Sequence, residues 1–191
     1  MESFLLSTIV VALAEIGDKT QLLALLLAAK FRKPIPIIFG ILVATLANHA
    51  VAGALGAWIT TALSPQLMRW ILGLSFMAMA LWALYPDKID GRDHKYARYG
   101  AFLSTVVVFF LAEIGDKTQV ATVALAAQQS ALVAVVMGTT LGMLIANVPA
   151  VYLGHRIVHK ASIKWVRVVA ALMFFIIGLL TLAGLGSRLG F

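Results

Sequence analysis

The chain has no cysteine, so neither a disulfide framework nor a thiolate zinc site is open to it. Charge is scarce as well. Only 12% of its 191 residues are Asp, Glu, Lys or Arg, against about 25% in soluble domains, while 62% are hydrophobic. Acids are the rarest charge, 8 against 15 Lys and Arg, which leaves a net +7. Such a balance would suit nucleic acid if the basic residues shared one amphipathic surface. They lie instead in short segments between long apolar runs, so no nucleic-acid partner is expected. The first apolar stretch has no basic leader and is too long for a cleavable signal peptide, and it is expected to remain as a span.

What is abundant is apolar sequence in stretches long enough to cross a bilayer, for which about 20 helical residues suffice. The runs are Phe4–Ala29, Ile35–Leu63, Leu67–Leu84, Gly100–Ala127, Ala131–Tyr152 and Ile163–Leu185. They predict an all-α polytopic membrane protein of six transmembrane helices. Of the 5 prolines, Pro34 and Pro36 open the second span, Pro65 opens the third and Pro86 closes it. Trp58, Trp70, Trp82 and Trp165 fall near span ends, where an amphipathic ring prefers the headgroup layer. Lys30, Arg32, Lys33, Lys88, Arg92, Lys95, Arg98, Arg156, Lys160, Lys164 and Arg167 fall in alternate connections, with only Arg69 and Arg188 on the other side. That bias is expected to place both termini outside the cytoplasm.

The polar stretch 87–98 divides the chain into a three-helix unit at 1–86 and another at 99–191. The halves are related: residues 13–21, LAEIGDKTQ, recur unchanged at 111–119, an offset of 98 that also pairs Gly40 with Gly138 and Gly56 with Gly154. Three spans per half force the second copy to enter from the opposite side. The architecture implied is an inverted repeat, as in many secondary transporters.

The repeated motif carries half of the chain's 8 acids, Glu15, Asp18, Glu113 and Asp116. Glu15 stands roughly 16 Å into its span at 1.5 Å per residue, close to the midplane, and Glu113 is similarly deep. Ionisable groups at that depth are costly and usually functional. On a continuous helix, positions i and i+3 share a face, so Glu15 and Asp18 are expected to approach one ion. Gly17 and Gly115 weaken the helix between the acids, and a slight unwinding there is expected to offer backbone carbonyls to a cation. Gln21, Gln119, Thr20 and Thr118 add neutral oxygens, completing a hard-oxygen set suited to Mn²⁺, Ca²⁺ or Mg²⁺. The bland alternative is a pair of helical i,i+4 ion pairs, Glu15 with Lys19 and Glu113 with Lys117, which leaves Asp18 and Asp116 unexplained. Within a site, the two lysines serve as charge compensation rather than ligands.

The doubled E-x-G-D-K-[ST] in a six-span inverted repeat resembles the MneA-type manganese exporters, bacterial relatives of the Golgi manganese/calcium–proton exchangers. The likeness covers essentially the whole chain. It implies cation/proton exchange with Glu15, Asp18, Glu113 and Asp116 as ligands, the metal (Mn²⁺ first, Ca²⁺ as the alternative) being cargo rather than a cofactor. Fully ionised, four carboxylates and two lysines leave −2, a charge matched by one divalent cation or by two protons.

His49, its neighbour Asn48 and its offset counterpart Asn147 are buried polar candidates, more often helix–helix hydrogen-bonding groups than ligands. Pro149 is expected to kink the fifth span and Gly138-x-x-x-Gly142 to mark close helix packing. His94, His155, His159 and the scattered methionines receive no chemistry. Two other functions compete. A passive divalent-cation channel would not need cationic lysines in its path, and a metal-dependent intramembrane enzyme would need a phosphate cradle that the loops lack.

Overall fold

The computed structural model describes residues 1–85, 99–129, 131–153 and 160–185. Among these it is all-helical: α1 Glu2–Glu15, α2 Lys19–Phe31, α3 Pro34–Ala62, α4 Pro65–Leu84, α5 Gly100–Glu113, α6 Lys117–Gln128, α7 Leu132–Leu153 and α8 Lys160–Leu182. Local sequence accounts for the ends. Pro34 and Pro65 open α3 and α4, where a missing N–H is harmless, and Ser64 caps α4 by accepting from the Leu67 N–H at 3.4 Å.

The helices are inside out by the standards of a soluble protein. On α3, Ile35, Phe39, Val43 and Leu46 form an exposed apolar stripe, while Thr45, Asn48 and His49 are buried. Water would penalise that stripe, whereas lipid tails do not. Three helices, α3, α4 and most of α7, are long and apolar enough to cross a membrane, and α5 and residues 167–182 are shorter apolar helices. The exposed faces of Trp58, Trp70 and Trp165 fit the expected interfacial role.

Small residues set the helix packing. A Cβ on Gly138 would stand 2.5 Å from the Phe4 carbonyl oxygen, and one on Gly142 would stand 2.6 Å from that of Thr8, so α7 and α1 touch through their backbones as the spacing predicted. The same contact recurs one repeat away, where a Cβ on Gly40 of α3 would meet Phe102 and Thr105 of α5. Helix α4 packs along α8, with the Phe76 and Phe174 rings stacked at 6.3 Å between centroids.

One expectation needs correction. The spans drawn as continuous over Phe4–Ala29 and Gly100–Ala127 are each broken in the middle, into α1 and α2 and into α5 and α6. The polar segment 87–98, Gly154, Arg156, His94, His155, His159 and Arg188 lie outside the described residues.

Candidate functional site

The break is a turn, and the motif is its sequence. Ile16 (φ −63°, ψ 117°) precedes Gly17 at φ +82°, and the Asp18 N–H donates to the Glu15 carbonyl at 3.0 Å. Ile114 (φ −62°, ψ 120°), Gly115 (φ +75°) and the Asp116 N–H to Glu113 carbonyl bond at 3.1 Å repeat it. This is a type II turn, whose third position needs positive φ and hence glycine. Glu15 and Glu113 therefore end α1 and α5, and Asp18 and Asp116 cap α2 and α6, where the positive helix end favours an anion. The acids gather across a turn rather than on one continuous helix face.

The glutamines brace it. The Gly17 N–H donates to Gln21 Oε1 at 3.0 Å, and the Gly115 N–H donates to Gln119 Oε1 at 2.7 Å. Gln21 Nε2 also donates to the Ala146 carbonyl of α7 at 2.9 Å. Both oxygens expected as ligands thus already hold the turns in shape.

Between the turns, one carboxylate oxygen from each of Glu15, Glu113 and Asp116 lies within 4.8 Å of the others, all three residues being buried. Thr20 donates its hydroxyl to Glu15 Oε2, and Thr118 donates to Glu113 Oε2 at 3.1 Å. The Oε1 atoms of both glutamates are buried without a hydrogen-bond partner among the described residues. Buried carboxylate oxygens lacking donors are matched to a cation.

The lysines do not pair within their own motif, as the i,i+4 alternative required. They cross: Lys19 Nζ lies 2.9 Å from Asp116 Oδ1, and Lys117 Nζ lies 2.9 Å from Asp18 Oδ1. Each ammonium neutralises the aspartate of the other copy. That leaves Glu15 and Glu113 as the motif carboxylates with no basic partner in contact among the described residues, and the Asp side chains are 0–1% exposed. The two lysines differ in surroundings, Lys19 being 26% exposed and Lys117 5%.

Of the supporting residues, Asn48 donates to the Phe110 carbonyl of α5 at 3.0 Å, the helix-to-helix bond expected of it. Asn147 donates to the Met143 carbonyl one turn back at 3.0 Å, within α7. His49 is fully buried, and neither ring nitrogen has a hydrogen-bond partner among the described residues. Pro149 lies inside α7. One role escaped sequence reasoning: Arg167, counted with the charges of the fifth connection although the Ile163–Leu185 span contains it, lies in α8 and donates from Nη2 to the Gly17 carbonyl at 3.0 Å. The signal was available, since Arg69 and Arg167 are also related by the offset of 98.

Comparison with known proteins gives the family. The family described as "Divalent cation/proton antiporter GDT1" matches residues 3–91 and 101–187. The chain belongs to that family, a family of transporters rather than enzymes, and is a multi-pass membrane protein that transports cations. It is 52% identical over 182 residues to a Vibrio cholerae protein named "Putative manganese exporter", covering 95% of this chain and 90% of that one. It is 27% identical to "GDT1-like protein 4" of Oryza sativa (91% of this chain, 70% of the relative) and 24% identical to "GDT1-like protein 5" of Arabidopsis thaliana (95% and 96%). The likeness to the manganese exporters inferred from the doubled motif is borne out. No solved structure shows a significant match.

Proposed function

We propose that the protein is a secondary transporter that exports Mn²⁺, with Ca²⁺ as the second candidate, in exchange for two protons per cation. Its helices form six spans in two inverted three-helix units, 1–86 and 99–191, joined by a cytoplasmic 87–98 linker, with both termini outside a bacterial inner membrane. The name of the Vibrio cholerae relative supports manganese, and the family description supports proton exchange.

The observation that carries the reading is the crossed pairing of Lys19 with Asp116 and of Lys117 with Asp18. It reduces four carboxylates to an unpaired Glu15–Glu113 couple. Two ionised carboxylates in an apolar surround are costly. One divalent cation or two protons each cancel that charge, so the two cargoes exclude one another and the loaded site is near neutral in both. Glu15 and Glu113 are the central ligands, Asp116 and Asp18 the flanking ones, and Thr20 and Thr118 fix the glutamate rotamers. The oxygen donors suit Mn²⁺ or Ca²⁺ rather than a soft metal.

The test is flux into proteoliposomes with and without a pH gradient, recording internal pH alongside Mn²⁺. Saturable Mn²⁺ movement coupled to opposite proton movement is expected, with Glu15→Gln and Glu113→Gln each inactive at normal protein levels. Flux that neither saturates nor moves protons would replace this reading with the channel.

A further inference from the structure

The two halves are alike in sequence but not in their surroundings. Arg167 and Arg69 occupy equivalent positions under the offset of 98, on α8 and α4. Arg167 reaches the Gly17 carbonyl, an acceptor that the turn leaves outside any helical ladder. Among the described residues no side chain donates to the equivalent Gly115 carbonyl, and Gly115 and Ile114 are exposed where Gly17 and Ile16 are half-buried. Arg69 meanwhile packs beside Gly184 just past the end of α8, with its Nε buried and without a hydrogen-bond partner among the described residues. One arginine of the pair is engaged on its turn, and the other is not.

Helix packing shows the same asymmetry independently. A Cβ on Gly178 would stand 3.0 Å from the Gly73 carbonyl oxygen, so α4 and α8 are locked backbone to backbone, with Phe76 stacked on its repeat equivalent Phe174. This unit packs against α1 and α6, sharing one apolar cluster with Val10, Ala14, Ala121 and Leu125. The second cluster joins α2, α3, α5 and α7 with Val11 of α1, and among the described residues it contains none of α4 or α8. The repeat relation maps α1 onto α5 and α6 onto α2, so the α4–α8 unit has a second, equivalent seat that it does not use here.

We propose that Arg167 and Arg69 are alternating positioning residues for transport: Arg167 holds the α4–α8 unit on α1 and α6 by capping the Gly17 carbonyl, and Arg69 holds it on α5 and α2 by capping the Gly115 carbonyl. The inference rests on the carrier reading above, since only a carrier needs both seats. A guanidinium supplies donors and no acceptor, so neither arginine ligates the cation, and the carboxylates bind without it. A charge-assisted hydrogen bond made in one state alone biases the equilibrium toward that state.

The absence of native cysteine allows paired spin labels at Leu172→Cys on α8 and Phe102→Cys on α5, both exposed, with distances read by pulsed electron resonance in nanodiscs. Two distance populations are expected. Arg167→Ala should lower the population matching this structure roughly tenfold relative to the other, Arg69→Ala should raise it, and Arg167→Lys should fall between. A single distance in every background, an unchanged distribution in Arg167→Ala, or both alanine variants shifting the same way would overturn the proposal. Thermal protection by Mn²⁺ on the same samples separates the two readings. Protection kept with unmoved populations removes the arginine role alone, whereas its loss in the otherwise unmodified protein removes the cation site.

Discussion

Lowering the pH should weaken Mn²⁺ binding by about 100-fold per unit once Glu15 and Glu113 are protonated in the metal-free protein, because each cation then displaces two protons. The number follows from the pairing. Asp18 and Asp116 each sit 2.9 Å from a lysine ammonium, so each has its charge matched before a metal arrives. Only the two glutamates remain to exchange protons. Replacing one by an amide should halve the count, so Glu15→Gln should show about 10-fold per unit at a lower absolute affinity. The assay is equilibrium binding to purified protein in detergent, reading free Mn²⁺ by its electron-resonance signal across a pH series. A wild-type slope near one proton per metal would mean that a single carboxylate governs exchange. A slope unchanged at two in Glu15→Gln would show that the aspartates, not the glutamates, carry the protons, and either result would refute the charge assignment.

Gly115→Ala adds a Cβ that meets nothing within 4 Å, so its cost is the positive φ alone, about 1–2 kcal/mol. For a chain of this size that corresponds to a thermal midpoint lower by roughly 2–8 °C, and a shift within error would contradict the type II turn. Lys117→Met should destabilise by about 3–5 kcal/mol by leaving Asp18 buried without its cation, and adding Asp18→Asn should recover more than half of it. Equal unfolding midpoints for the single and double variants would show that the crossed pair is not the interaction lost.

Composition made the membrane class legible, and hydrophobic runs placed α3, α4 and α7 within a residue or three of their observed ends, because length and apolarity are what a bilayer selects. The motif was equally plain, since an identical polar nonapeptide in apolar sequence has no cheap explanation. The break at Gly17 and Gly115 was read as a slight unwinding that would offer carbonyls to a cation, not as a turn whose Gly17 carbonyl is taken by Arg167. The polar residues Asp18 to Gln21 read as a ligand set on one helix face, and what marks a turn is a single glycine whose positive φ a helix would not need.

The lysine partners lay beyond sequence reasoning for a different reason. Within one motif the i,i+4 spacing offers Glu15 to Lys19 on a continuous helix, and that geometry disappears once the chain turns at Gly17. Lys19 then opens α2, aimed past its own glutamate, and its nearest carboxylate is the one that the second copy brings to the same depth. Which acid is neutralised and which is left unpaired is thus decided by how the two copies meet, not by either copy alone. The same holds for Arg167, whose charge reads as a loop residue in one dimension and becomes a donor to Gly17 only when α8 is laid against the first turn. A doubled motif therefore does more than raise the ligand count. It lets each copy supply the counter-ion for the other's aspartate and leaves the glutamates of both without one, which is what the proposed shared cation requires.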